Sequence, residues 1–263
     1  MQVLAHRGAS AAEKENTISA FKRAVSMGSD AAELDVRRTL DRILVIHHNA
    51  TLDDGRIISQ VNYSELPDDI CTLDEALDAC VPMWVNVEIK NDPEEPDFDI
   101  SESIADETIA CLVRRPEGDN RWLISSFRRE TIDRCQELRS SIATAWLTVG
   151  VRPEEFNEVL SGLVKSGHSA LHPWVNFVTQ ETIDAWKNHP KRMTGFVVQE
   201  MDVDFDSKNY VSKELKNGII ISLDCRQNDY NYKQIKIVYN DGKFGCLNQN
   251  DSVILPVIYD RLI

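Results

Sequence analysis

Short apolar runs alternate with segments of helical periodicity from the start of the chain to about residue 190. The runs predicted to be strands are "QVLA", "AAELDV", "ILVIHH", "MWVNVEIK", "RWLISSF", "ATAWLT" and "SALHPW". The segments predicted to be helices are "NTISAFKRAVSMG", "TLDEALDAC", "ESIADETIACLVRR", "ETIDRCQELRS", "PEEFNEVLSGLVKSG" and "TQETIDAWKNHP". This alternation is typical of βαβ units, so it predicts an α/β fold with a parallel sheet.

The pattern changes towards the C-terminus. "TGFVV" and "NGIIISLD" still predict strands, but from Asn228 onward helix formers are few, and Asn, Asp, Gly and β-branched residues dominate. That composition predicts a β-meander of short hairpins. We therefore expect two domains, an α/β domain over residues 1–227 and a β-rich tail over residues 228–263.

Polar side chains gather where the predicted strands end. They are His6, Arg7, Glu33, Asp35, His48, Glu88 and Lys90. Glu33 and Asp35 are two positions apart and share one face of their strand, as do Glu88 and Lys90. A solvated edge strand would explain the first pair on its own. Because the carboxyl ends of parallel strands carry the ligand sites of α/β barrels, the whole set instead predicts a functional site.

The residue types in this set point to phosphate chemistry. Glu33, Asp35 and Glu88 form an all-oxygen set that suits Mg²⁺ or Ca²⁺ better than zinc. Such a cation would relieve the repulsion between the carboxylates and attract an anionic substrate. Arg7 and Lys90 can bind phosphate oxygens. His6 and His48 can transfer protons near neutral pH, so the set predicts cleavage of a phosphodiester.

The composition restricts the kinds of binding partner and the cellular compartment that the chain suits. The chain has 263 residues, a common length for one α/β barrel, and a formal net charge of −14. That charge argues against nucleic acid or an anionic membrane as the main partner. There is no apolar run of transmembrane length and no signal-peptide pattern. The six cysteines form no CxxC pair, which favours reduced thiols and a cytoplasmic location.

Several segments together resemble the glycerophosphodiester phosphodiesterase family. They are "AHRGASAAEKENTISAFKRAVSMGSDAAELDVRRT", "LVIHHNATLDD", "VNVEIKN", "ISSFRRETI" and "ALHPWVNFVTQETIDAW". The resemblance covers about residues 1–190 and implies a TIM (β/α)8 barrel that hydrolyses a small-molecule glycerophosphodiester to an alcohol and glycerol 3-phosphate. It implies His6 and His48 as the catalytic pair, either being acid or base. Glu33, Asp35 and Glu88 would be metal ligands, with Arg7 and Lys90 as phosphate contacts.

The sequence departs from that family pattern at two places. Asn49 follows the second catalytic histidine, where the family usually has Asp, which predicts reduced activity. The last quarter of the barrel, with "TGFVVQEMD" and "NGIIISLDC", matches the family poorly, so the C-terminal part is either a fusion or a replaced or truncated barrel end. The tail resembles a WG repeat, with Phe244 in the place of Trp, and implies a protein partner.

Two other functions stay open at this stage. A lipid-directed phosphodiesterase is one, although no large apolar or basic insertion supports it. The other is a catalytically impaired barrel that binds a partner through its tail. We interpret Asn16 as a residue that holds its loop rather than one that touches substrate. Of the other histidines, His47, His168 and His189 are interpreted as structural, and His172 as either mouth-lining or structural.

Overall fold

The computed structural model describes residues 2–173 and, beyond them, five strands. The strands are β1 (Gln2–Ala5), β2 (Ala31–Arg38), β3 (Leu44–Ile46), β4 (Trp84–Ile89), β5 (Trp122–Ser126), β6 (Ala143–Thr148), β7 (Ala170–Pro173), β8 (Gly195–Val198), β9 (Ile219–Leu223), β10 (Lys236–Asn240), β11 (Lys243–Leu247) and β12 (Val253–Tyr259). The helices of the described ranges are α1 (Ile18–Ser26), α2 (Leu73–Ala79), α3 (Ser103–Val113), α4 (Arg129–Leu138) and α5 (Phe156–Lys165).

Eight parallel strands pair in a closed ring. Their order is β1, β2, β4, β5, β6, β7, β8 and β9, and β1 pairs with both β2 and β9. This is the strand arrangement of a TIM barrel, so the predicted fold is confirmed. The segments "TGFVV" and "NGIIISLD" supply β8 and β9. The ring of strands is therefore not truncated, although these two segments match the family pattern poorly.

The segment "ILVIHH" differs from its prediction. Only Leu44–Ile46 form a strand, and this strand pairs antiparallel with β2, outside the ring of eight. The reason is the short connection from Arg38 to Leu44, because a tight turn joins antiparallel neighbours whereas a parallel pair needs a long crossover. His47 and His48 lie in the loop after β3, not at the end of a barrel strand.

The two faces of the barrel strands pack differently. On β2, Leu34 and Val36 belong to a large apolar cluster with residues of α1, α2 and α3. Ala31 instead packs with Leu4 and with Trp84 of β4. Since side chains alternate along a strand, the residues in phase with Ala31 point into the barrel. Those residues are Glu33, Asp35 and Arg37.

The turn after β1 packs tightly on the start of α1. The side chain of Thr17 caps α1 by accepting a hydrogen bond from the backbone N–H of Ala20, at 3.3 Å. Gly8 has a φ of +79°, and a Cβ there would lie 2.7 Å from the backbone of Ala20. Only glycine fits this position without displacing the helix, so the turn that carries His6 and Arg7 is fixed against α1.

The C-terminal strands β10, β11 and β12 form a separate three-stranded antiparallel sheet. The predicted meander is confirmed in these strands, whereas the boundary at residues 227/228 and the WG-repeat resemblance stay predictions. The predicted helix "TQETIDAWKNHP" and His189 lie outside the described residues. Among the helices that the structure describes, none is both long enough and apolar enough to cross a membrane.

Candidate active site

Three buried carboxylates meet inside the barrel. Glu33 and Asp35 come from β2 and Glu88 comes from β4, and Asp35 is the register partner of Glu88. One oxygen from each lies within 4.8 Å of the others. All three side chains are buried, so the alternative of a solvated edge strand is wrong. Three carboxylate oxygens at this spacing are a donor set that fits one Mg²⁺ or Ca²⁺ ion.

Two cationic side chains already contact these carboxylates. Lys90 Nζ lies 3.0 Å from Asp35 Oδ1 and donates a hydrogen bond to Glu88 Oε1. Arg7 Nε lies 3.2 Å from Asp35 Oδ2, and Arg7 Nη1 donates to Glu15 Oε1 at 2.9 Å. The structure thus brings both predicted phosphate-binding residues into the site. Their contact with a phosphate stays a prediction.

The neighbouring charges act in opposite directions on the two carboxylates of β2. Burial alone would raise the pKa of Asp35, but the charges of Lys90 and Arg7 outweigh burial and hold that pKa below its usual range. Burial, and then the charge of Asp35, raise the pKa of Glu33 to about 8. Oε1 of Glu33 is buried and has no hydrogen-bond partner among the described residues. A divalent cation would stabilise the charged form of Glu33, which burial disfavours.

Asn16 orients Asp35. Its Nδ2 donates to Asp35 Oδ2 at 2.7 Å, and its backbone N–H donates to the carbonyl of Arg7 at 2.9 Å. Asn16 has a φ of +59°, a left-handed conformation that asparagine tolerates better than most residues. Its side chain contacts a predicted metal ligand and its backbone holds the turn of Arg7, which agrees with the interpretation of Asn16 as a loop-holding residue.

His6 lies beside Glu33. Its Nε2 is 3.8 Å from Glu33 Oε2, and the same carboxylate oxygen accepts the backbone N–H of Arg7 at 2.9 Å. His6 is buried, and Ser10 Oγ donates to its carbonyl at 3.0 Å. The imidazole therefore sits at the edge of the carboxylate cluster with its main chain fixed.

His48 reaches the same cluster from the loop after β3. Burial lowers its pKa to about 3, and this effect outweighs the opposing attraction of Asp35. Its Nδ1 lies 2.8 Å from Oδ1 of Asn49. The amide oxygen Oδ1 can only accept a hydrogen bond, so Nδ1 of His48 is the donor and carries the proton. In the neutral ring, Nε2 then carries the lone pair.

The remaining described histidines are His168, His47 and His172, and their roles stay predictions. His168 bridges Thr144 Oγ1 and Asp133 Oδ1 with its two ring nitrogens, each at 2.8 Å. His47 Nδ1 lies 2.8 Å from the carbonyl of Asn49. His172 is buried on β7, and its ring nitrogens have no hydrogen-bond partner among the described residues. It is in phase with Ala170 of an inner apolar cluster, so it lies inside the barrel rather than on its rim.

Sequence reasoning missed one buried charge near this site. Arg37, two positions after Asp35 on β2, has a fully buried side chain that hydrogen-bonds the backbone carbonyl of His48. The alternation that singled out Glu33 and Asp35 continues to Arg37. That continuation was the available signal.

Comparison with known proteins identifies the family. The model of the Glycerophosphoryl diester phosphodiesterase family matches residues 6–185. The chain belongs to this family, a class of phosphodiesterases, and the resemblance read from the sequence is confirmed. Residues 6–185 include every residue proposed here for the site.

One curated relative and two solved structures illustrate what the chain is similar to, and the solved structures share its fold. A lysophospholipase D of Rattus norvegicus is 28% identical over 155 residues, which is 53% of this chain and 49% of that protein. The chain thus spans about half the length of the relative. A phosphodiesterase of Oleispira antarctica, solved with its product sn-glycerol-3-phosphate, superposes with a TM-score of 0.64 at 23% identity, over 84% of this chain and 92% of that one. A glycerophosphodiester phosphodiesterase of Parabacteroides distasonis gives 0.64 at 19% identity, over 84% and 92% of the chains.

Proposed function

We propose that this chain hydrolyses glycerophosphodiesters to an alcohol and glycerol 3-phosphate, with Mg²⁺ or Ca²⁺ as cofactor. The observation that carries the proposal is the convergence of Glu33, Asp35 and Glu88 within 4.8 Å, inside a closed barrel of the phosphodiesterase family. The O. antarctica enzyme of the same fold was solved with glycerol 3-phosphate, which supports this product class.

Glu33, Asp35 and Glu88 would hold the divalent cation. Their donors are all oxygen, and Oε1 of Glu33, which has no hydrogen-bond partner in the part of the chain that the structure describes, can coordinate it. When bound, such a cation polarises a phosphoryl oxygen and neutralises charge that develops on the phosphate. Asn16 holds Asp35 in place, and Lys90 spans Asp35 and Glu88.

The histidines are the proton-transfer groups of the proposed reaction. A water oxygen bonds to phosphorus while the bond from phosphorus to the alcohol oxygen breaks. His48, with its lone pair on Nε2, accepts the proton of the water. His6 donates a proton to the departing alcohol, which leaves neutral. The Nδ1 contact with Asn49 Oδ1 supports His48 as the base, because it leaves Nε2 as the acceptor.

Arg7 and Lys90 would bind the phosphate. Both lie against the carboxylates, and each has more N–H donors than the protein contacts described here use. Their positive charge allows an anion to approach a protein of net charge −14. The proposed substrate is a small molecule. The proposal also includes a cytoplasmic location, which the scattered cysteines favour, and a role in lipid metabolism.

The test is release of glycerol 3-phosphate from glycerophosphocholine by the purified chain. The assay is run with Mg²⁺, with Ca²⁺ and with a chelator, and choline release is measured in parallel. We expect turnover with at least one cation and none with chelator. Since the rat relative is named a lysophospholipase D, lysophosphatidylcholine is the second substrate. Turnover of neither diester by a folded chain that binds the cation would leave the binding-protein alternative.

A further inference from the structure

We propose that Arg37 is a positioning residue for His48. Its side chain hydrogen-bonds the backbone carbonyl of His48 and links this carbonyl to the loop after β4. That strand contains Glu88 and is followed directly by Lys90. This inference rests on the proposed function, because His48 matters here as a proton-transfer group. Arg37 itself contacts neither the carboxylate cluster nor, in the proposed reaction, the substrate.

Two nitrogen atoms of Arg37 hydrogen-bond the loop that carries His48. Nε of Arg37 donates to the carbonyl oxygen of His48 at 2.9 Å, and Nη2 donates to the same oxygen at 2.6 Å. The preceding peptide is also held, since the backbone N–H of His47 donates to the carbonyl of Asp35 at 3.0 Å. The main chain on both sides of His48 is thereby fixed to β2, the strand of two predicted cation ligands.

The other side of the guanidinium holds the loop after β4. Nη1 donates to Asp97 Oδ2 at 2.6 Å. Nη2 donates to the two carboxylate oxygens of Glu95 at 2.9 and 2.7 Å. The side chain of Arg37 is fully buried and that of Asp97 is 5% exposed. A buried cation needs such partners, so the two loops are locked together through one group.

These contacts exclude a direct role in phosphate binding. Nε, Nη1 and Nη2 each already donate to a protein acceptor, and the side chain has no exposed surface. A phosphate would have to displace the carbonyl of His48 or a buried carboxylate. What Arg37 can change is the placement of the peptide between His48 and Asn49, and thus of the imidazole and the amide that contacts it.

The test compares Arg37→Lys with Arg38→Lys. Lysine keeps the charge of Arg37 but cannot form the planar fork that reaches the carbonyl and both carboxylates. Arg38, next along β2, forms ion pairs with Asp99 at 3.1 Å and Glu107 at 3.2 Å. It makes no described contact with His48. Arg38→Lys therefore removes a comparable arginine ion-pair network without a described contact to His48, and it serves as the control.

We expect Arg37→Lys to lower kcat for glycerophosphocholine about 10- to 100-fold, the range for a misplaced reacting group, with KM within about twofold. Arg38→Lys should leave kcat unchanged. In a His48→Ala background, Arg37→Lys should lower kcat by less than about threefold, because Arg37 acts on kcat only through His48. An equal loss in both backgrounds, or full kcat in Arg37→Lys, would overturn the inference. Arg37→Gln is the second variant if the lysine variant does not fold.

A readout without turnover separates this inference from the proposed function. The ring-nitrogen NMR signals of His48 are assigned by their absence in His48→Ala and compared at one pH. We expect Arg37→Lys to move or broaden them and Arg38→Lys to leave them in place. If the wild-type chain cleaves no diester but shows this result, the positioning role stands and the proposed function fails. Unchanged signals in Arg37→Lys would overturn the inference whatever the activity.

Discussion

Oδ1 of Asn49 lies 2.8 Å from Nδ1 of His48. The family resemblance places Asp at this position, and its replacement by Asn predicted weaker catalysis. The structure shows that the amide keeps the acceptor that orients the ring and lacks only the negative charge. The departure at residue 49 therefore preserves the direction of the imidazole while it lowers the stability of its protonated form.

Variants of Asn49 separate orientation from charge. Asn49→Ala removes the acceptor, and we expect it to lower kcat about 10- to 100-fold, as is usual for the loss of a supporting partner. Asn49→Asp keeps an acceptor and adds a charge, which favours the imidazolium. Its pH–rate limb for the base should move to higher pH. The measurement is the pH dependence of kcat for the wild-type chain, Asn49→Ala and Asn49→Asp. Identical profiles for the wild-type chain and Asn49→Asp would show that charge at this position does not affect the base.

The leaving group distinguishes the two histidines. With glycerophosphocholine, His6→Ala and His48→Ala should each lower turnover about 10²- to 10⁴-fold. A nitrophenyl phosphodiester expels a good leaving group that needs no proton. We expect His6→Ala to recover most of its loss with that substrate, and His48→Ala to keep its loss. The opposite pattern in the steady-state rates would exchange the acid and base roles.

Cation binding can be measured without catalysis. Millimolar Mg²⁺ or Ca²⁺ should raise the Tm of the wild-type chain, since an ion that binds only the folded state stabilises it. Glu33→Gln should abolish both this rise and the activity. Without cation it should be at least as stable as wild type, because a carboxylate that is costly to bury is removed. Glu158→Gln on exposed helix surface is the control, and it should keep the full response. A Tm rise that survives Glu33→Gln would place the ion elsewhere.

His172 predicts a pH dependence of stability. Burial lowers its pKa to about 3, whereas the pKa of a histidine in the unfolded chain is about 6.5. Between these values the unfolded chain binds the proton and the folded chain does not, so the free energy of unfolding falls as the pH is lowered. At pH 5 this amounts to about 2 kcal/mol relative to neutral pH. His48 and Glu33 also have shifted pKa values and contribute to the pH dependence. In urea unfolding at pH 7 and pH 5, His172→Leu should therefore reduce the wild-type difference in unfolding free energy by about this amount rather than abolish it. An unchanged difference in the variant would assign the effect to another group.

The alternation of side chains made much of the site predictable. Glu33, Asp35 and Glu88 lie on regular strands, where a period of two fixes the face, and parallel pairing brings β2 beside β4. The helices likewise follow from apolar spacing and caps, as at Thr72, whose side chain forms a capping box with Glu75 at the start of α2. Local pattern and fold agree in these elements, so the sequence was sufficient.

Loop contacts were not predictable in the same way. The pairing of Arg37 with Glu95 and Asp97 joins a strand residue to two residues of one irregular loop, about sixty positions further along the chain. No periodicity determines such loops, and their charged residues look like ordinary solvated positions in the sequence. The short β3 was misjudged for a related reason, because an apolar run does not state whether its strand pairs parallel or antiparallel.

The closure of the ring through β1 has a consequence for biosynthesis. The strand Gln2–Ala5 is synthesised more than two hundred residues before Ile219–Leu223, its partner on one side. Until those residues emerge, one edge of β1 has unpaired backbone groups. The turn with His6 and Arg7 then follows a strand that is paired on one side only. The ring around the candidate site is therefore completed only after Ile219–Leu223 have been synthesised, and a nascent chain stalled before residue 219 exposes an open sheet edge beside His6 and Arg7.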